Sequence, residues 1–158
     1  MAKAVKPIPE GYHSLTPHIV VKDAERAINF YKQAFGAIET ARMSSPDGKR
    51  VVHAELKIGD SPIMLGEEMG PGGKAAETLG GSPVSLYFYV SDVDQSYKKA
   101  LEAGGKEYEG LADMFWGDRC GTLQDPFGYY WTIATHREDL SQKEMEERGK
   151  EFFAKMAA

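Results

Sequence analysis

A chain of 158 residues carrying a net charge of -5 is long enough for one well-buried domain or for two half-size modules sharing an interface. Its 42% apolar and 27% charged residues are ordinary for a globular protein, and no local Lys/Arg cluster creates an attraction to nucleic acid or to an anionic membrane. One cysteine excludes an internal disulfide and a cysteine-based zinc framework. No apolar run reaches the length of a membrane span, and the N-terminal stretch lacks the apolar core of a signal peptide, so a cytoplasmic protein is expected.

Taken in order, residues 1–13 read as an irregular arm, broken by Pro7, Pro9 and Gly11. Alternation of Leu15, Pro17, Ile19 and Val21 with Thr16, His18 and Val20 predicts a strand with two different faces. Asp23 is placed to cap a helix whose apolar stripe is Ala27, Phe30, Tyr31, Ala34 and Phe35 and whose stop is Gly36. Strands over 37–43, 50–58 and 63–65 follow, the first two joined by a hairpin at 44–49. Six glycines between Gly66 and Gly81 predict a linker over 66–82, with Glu67 and Glu68 solvating its start.

A second cycle opens with a strand over 84–90, in which Ser85, Tyr87 and Tyr89 oppose Leu86, Phe88 and Val90. Asp92 caps a helix stopped by Gly104-Gly105, residues 106–109 form a strand, and 110–118 form a loop with large apolar side chains. The stretch from Arg119 to His136 reads as strand, turn at Asp125-Pro126-Phe127-Gly128, and strand. Asp125 serves its own turn, Tyr130 shares a face with Thr132, and Trp131 and Ile133 pack toward the helix. Ser141 and Glu144 mark the start of a C-terminal helix with an apolar side of Met145, Phe152, Phe153 and Met156.

The two cycles are related by a constant offset of 69 positions, which carries Val21 to Val90, Asp23 to Asp92, Gly36 to Gly105 and Gly59 to Gly128. The chain therefore divides into a first module over 14–65, a linker over 66–82, a second module over 83–139 and a helix over 140–158.

The segments TPHIVVKDAERAINFYKQAFGA (16–37), GDSPIML (59–65), YFYVSDVDQSYKKALEAGG (87–105) and WGDRCGTLQDPFGYYWTIATHREDLS (116–141) resemble the glyoxalase, bleomycin-resistance and extradiol-dioxygenase superfamily, the vicinal-oxygen-chelate fold, most closely its PhnB-like branch. The resemblance implies an α+β fold in which two βαβββ modules form a curled mixed-sheet cup with helices outside, and it makes a homodimer the expected assembly. Metal-dependent members place His or Glu ligands on the first and last strand of each module. The matching positions here are Thr16, Ile63 or Met64, Ser85 and Thr132, a poor donor set for a divalent ion.

Ligand-contact candidates are His18, Ser85, Tyr87, Tyr89 and Tyr130 on the cup face, with Trp116 as part of an aromatic lid and Arg119 as a fork for an anionic group. The alternative for Arg119 is a pair with Asp118 that anchors the loop, while His136 reads as an exposed residue at the entry to the last helix. Three functional readings follow. The first is metal-free, cofactor-free binding of a small polar-aromatic or carboxylated molecule. The second is a metal-dependent lyase, isomerase or dioxygenase with displaced ligands such as His18, His53 and Glu67. The third is an interaction protein with a collapsed cup.

Overall fold

The computed structural model describes residues 5–157, so part of the expected N-terminal arm, residues 1–4, lies outside the described residues. The described residues separate into two compact units, divided between Gly81 and Ser82, and each repeats one topology. The first contains β1 (His18–Val21), α1 (Ala24–Phe35), β2 (Ile38–Ser44), β3 (Val51–Ile58), β4 (Ser61–Glu67) and α2 (Ala76–Leu79). The second contains β5 (Ser85–Tyr89), α3 (Val93–Glu102), β6 (Lys106–Asp113), β7 (Asp118–Gln124), β8 (Tyr130–His136) and α4 (Gln142–Met156). Sheet orders β1-β4-β3-β2 and β5-β8-β7-β6 are the same arrangement twice, with the first and last strand of each module parallel and the others antiparallel. The fold is α+β: two βαβββ modules and a C-terminal helix.

Local chemistry explains where the elements begin and end. The Asp23 carboxylate accepts from the Arg26 amide at 3.0 Å, and Gly36 closes α1 at φ 66°, a conformation that costs glycine little. Between these ends Ala24, Ala27, Ile28, Tyr31, Ala34 and Phe35 are buried at helical spacing against the sheet. In the second unit Asp92 repeats the cap on the Gln95 amide, and the Thr135 hydroxyl accepts from the Val93 amide while donating to the Val90 carbonyl. The core of this unit lies on the α3 side of its sheet, where Tyr97, Leu123, Trp131 and Ile133 are buried. Asp125 accepts from the amides of Phe127 and Tyr129 and from the Trp131 indole, each at 2.9 Å, so one carboxylate fixes both the turn and the large core ring beyond it.

Three expected boundaries move. The glycine-rich stretch is not all linker: β4 runs through Glu67, and α2 forms because Glu68 accepts from the Lys74 ammonium, the Ala75 amide and the Thr78 hydroxyl while Ala75 and Ala76 are buried. Glu68 is therefore a clamp rather than a solvating charge. The expected loop over 110–118 shrinks to 114–117, because β6 continues to Asp113 through irregular pairing with β7. The first strand starts at His18, leaving Leu15 exposed ahead of it.

The short turn at 114–117 depends on Gly117. Its φ is 97°, its carbonyl accepts from the amides of Arg137 and Glu138, and a Cβ there would lie 2.4 Å from the Glu138 carbonyl oxygen. Gly117→Ala is expected to destabilise the protein by about 1–3 kcal/mol. Chemical denaturation checks this, and a midpoint equal to wild type contradicts the assigned packing.

Candidate functional site

Strand parity sorts the side chains of the second sheet. With Tyr87 opposite Thr132, Thr122 opposite Thr132 and Asp118 opposite His136, one face carries Ser85, Tyr87 and Tyr89 from β5, Tyr130, Thr132 and His136 from β8, and Asp118, Cys120 and Thr122 from β7. The other face packs on α3. The open face is rich in rings: Tyr87 and Tyr89 have centroids 5.1 Å apart, and Tyr108 meets Tyr130 edge-on at 4.9 Å. Tyr87, Tyr89 and Tyr108 remain 48%, 58% and 64% exposed. Beside them the hydroxyls of Thr122 and Thr132 bond to each other at 2.9 Å.

At one end of this face stands a buried carboxylate. Asp118 is only 3% exposed, and its Oδ2 accepts from the hydroxyls of Tyr87 at 3.0 Å and Tyr89 at 2.9 Å and from the Trp116 indole at 3.3 Å. Its Oδ1 lies 2.8 Å from His136 Nδ1, and His136 Nε2 lies 2.9 Å from the exposed Asp139. Burial pushes the Asp118 carboxyl up, and bonds from His136, Tyr89, Tyr87 and Trp116 outweigh it, holding the group below the usual carboxylate range. The carboxylates of Asp139 and Asp118 raise the His136 imidazole, favouring its charged form. The result is an ion pair whose anion is sealed beneath tyrosines and whose cation has an edge toward solvent.

Sequence reasoning assigned neither Asp118 nor His136 to this face. Asp118 was expected to pair with Arg119, and His136 to be an exposed residue at a helix entry. Adjacent strand residues point to opposite faces, so Arg119 turns away from Asp118. It forks onto Asp94 of α3 at 2.8 and 3.0 Å, with Asp113 at 3.5 Å. The guanidinium expected to take a ligand's anionic group is thus held by the protein's own carboxylates. Trp116 does not form a free lid: its indole bonds Asp118 and its ring meets Phe115 edge-on at 5.0 Å. Burial also raises the Cys120 thiol, which makes it a poor nucleophile.

In the first unit, His18 lies on an exposed strand end and stacks with His53, their centroids 6.1 Å apart. Burial and the neighbouring His53 lower its imidazole. His53 Nε2 lies 3.4 Å from Glu55, which also accepts from the Tyr12 hydroxyl. Glu67 faces elsewhere, toward the amides of Ala24 and Val51. Register also decides between the two matching positions on β4: Met64 pairs with His18, while Ile63 is buried. Among the described residues no three His, Cys, Asp or Glu side chains are grouped to hold a metal ion. Thr16, Met64, Ser85 and Thr132 are a donor set that does not fit the metal centre implied by the resemblance.

The model of the Glyoxalase/Bleomycin resistance protein/Dioxygenase superfamily matches residues 12–133. A Mycobacterium bovis protein of uncharacterised function, Mb0911c, is 40% identical over 137 residues, covering 84% of this chain and 90% of that protein. The X-ray structure of the Arabidopsis thaliana At5g48480 product is 29% identical with a TM-score of 0.64, over 78% of this chain and 98% of that one. A Bacillus cereus PhnB protein, described as a putative 3-demethylubiquinone-9 3-methyltransferase, shares the fold at 18% identity and a TM-score of 0.61, over 78% and 99% of the two chains. Among the described residues no helix is long and apolar enough to cross a membrane.

Proposed function

We propose that this chain, which belongs to the glyoxalase/bleomycin resistance protein/dioxygenase superfamily, binds a small planar aromatic molecule on the open face of its second sheet without a catalytic metal. The observation that carries this is the set of four tyrosines on one face, Tyr87, Tyr89, Tyr108 and Tyr130, three of them more than 45% exposed although their rings are large and apolar. Rings fixed by neighbours lose little entropy when a flat ligand settles on them. Tyr87 and Tyr89 are held by Asp118, and Tyr130 by contact with Tyr108. The paired threonine hydroxyls supply a polar spot beside the rings.

The test is a fluorescence titration with the neutral compound 2-naphthamide and its saturated decalin counterpart. Wild type should prefer the aromatic compound, and Tyr108→Ala or Tyr130→Ala should weaken its binding by about three- to tenfold, the equivalent of one lost aromatic contact. Tyr108 is mostly exposed, so its loss should leave thermal stability nearly unchanged. Equal affinity for the two compounds, or no effect of either substitution, defeats the reading.

The assembly that accompanies this reading is a homodimer closed along α4. This helix begins with a complete capping box at Ser141 and Glu144, and its apolar side meets Phe115, whose ring lies 5.3 Å from Phe152 and 5.8 Å from Phe153. That cluster does not cover the helix. A groove of about 760 Å³ lined by Phe115, Met145, Gly149 and Phe153 stays open, rimmed by Glu146 and Lys150.

A further inference from the structure

His136 occupies an asymmetric position. Its Nδ1 is committed to Asp118, a carboxylate that is itself buried and bonded to three other side chains. Among the described residues its Nε2 is held only by Asp139, a residue in the segment between β8 and α4 whose side chain is fully exposed. One nitrogen is fixed by the fold and the other by a carboxylate that water competes for. Exposed ion pairs of this kind contribute little, so exchanging one carboxylate for another on Nε2 costs little. We propose that the Nε2 edge of His136 is where the protein reads an acidic group on its aromatic ligand, the ligand's carboxylate replacing Asp139 on that nitrogen.

This inference rests on the tyrosine-face reading and adds the ligand's chemical class, an aromatic acid. Spacing supports it. Tyr89 stands opposite Ala134, and His136 is two residues further along β8 on the same face, about 7 Å away at a strand rise of about 3.4 Å per residue. A ligand ring lying on Tyr89 therefore brings a directly attached carboxylate to the imidazole edge. The Tyr89 hydroxyl and His136 Nδ1 also share the Asp118 carboxylate, so ring platform and cation are positioned by one group. Arg119, another cation near this strand end, is forked onto Asp94 on the opposite side of the sheet.

The charged groups that face His136 are Asp118 from β7 and Asp139 from the segment before α4. Its neighbours in sequence are engaged elsewhere, Arg137 with Asp94 and Glu138 with Arg148. A bound carboxylate takes over from Asp139 the role of stabilising the imidazolium, so affinity for acids should fall as pH rises and the imidazole loses its proton. Affinity for a neutral aromatic should not change with it.

The experiment compares 2-naphthoate with 2-naphthamide at pH 6 by calorimetry, on the full-length wild type, Asp139→Ala and His136→Gln. Wild type should prefer the acid. Asp139→Ala, which frees Nε2 and removes a surface charge, should tighten naphthoate by about threefold or more while leaving naphthamide unmoved, consistent with one charge-assisted bond at an exposed site. His136→Gln keeps a donor for Asp118 and should abolish the preference. Preference for the acid that survives in His136→Gln, or naphthoate binding unchanged in Asp139→Ala, overturns the inference. If both compounds bind equally to all three proteins the tyrosine face stands and the acid subsite falls. If neither binds, both fall.

Discussion

Replacing Asp118 by alanine is expected to lower the stability of the protein by about 1–3 kcal/mol, the usual cost of leaving hydrogen-bonding groups without their buried partner, because the His136 charge left behind keeps an edge toward solvent. The carboxylate accepts from Tyr87, Tyr89, Trp116 and His136, and alanine leaves those donors facing a space that cannot accept from them. Asp118→Asn keeps the volume but offers a single acceptor oxygen and presents an NH2 group to other donors, so an intermediate loss is expected. Tyr87→Phe and Tyr89→Phe each remove one donor and keep the ring, with an expected cost of about 1 kcal/mol. Urea denaturation measures all four. An Asp118→Ala midpoint within error of wild type would mean that the network is not formed in solution.

The same pair predicts a pH signature. The Asp118 pKa is depressed in the folded protein, so its contribution is present above the unfolded carboxylate value near 3.9 and is lost as pH falls through the folded value. The His136 pKa is raised, so its contribution is fully present below the unfolded imidazole value near 6.5 and is lost as pH rises through the folded value. Both are in force between roughly pH 4 and 6.5. The difference in melting temperature between wild type and Asp118→Asn should be greatest in that window and narrow on either side, where a purely steric defect would give a constant difference.

Much of this architecture is legible in the sequence because it is set by local chemistry. The caps at Asp23, Asp92 and Ser141, the Asp125 turn and the alternation at 85–89 each involve residues a few positions apart, and the offset of 69 makes one module predict the other. Parity likewise puts Tyr87 and Tyr89 on one face and Tyr130 with Thr132. What sequence reading missed is convergence over distance. The donors to Asp118 come from β5, the 114–117 turn and β8, and no short motif joins them.

A usable signal was nonetheless present. Continuing the parity of Tyr130 and Thr132 puts His136 on the ring face, and antiparallel pairing across the Asp125 turn then sets Asp118 opposite it and Arg119 on the other side. Grouping Asp118 with its neighbour Arg119 ignored that alternation. The bulged pairing of β6, by contrast, has no such signal, since it depends on how Tyr97 and Glu109 pack across the sheet edge.

Phe153→Glu should convert the proposed dimer to a monomer, raising the dissociation constant by at least about 100-fold. Phe153 is 61% exposed and Met156 71% in the single chain, beside the groove floored by Phe115 and Gly149. Each fully buried side chain of this size contributes about 1.5–3 kcal/mol, and two-fold symmetry counts each one twice. The groove residues Gln142, Met145, Glu146, Gly149, Lys150 and Phe153 recur at three- and four-residue steps, so they form one stripe along α4. If two such stripes pair antiparallel about the level of Arg148, Glu146 of one protomer stands opposite Lys150 of the other, and the reverse pair forms by symmetry. In that register the stripe is complementary to itself in charge. Lys150→Glu alone should therefore weaken the dimer about tenfold, and adding Glu146→Lys should restore it, because the exchange rebuilds both pairs with their signs reversed. Sedimentation velocity across a range of concentrations reads each case. A wild type that stays monomeric at all concentrations rejects the dimer. A dimer indifferent to Phe153→Glu places the interface elsewhere, and failure of the double exchange to rescue Lys150→Glu rejects the antiparallel register while leaving the apolar contact standing.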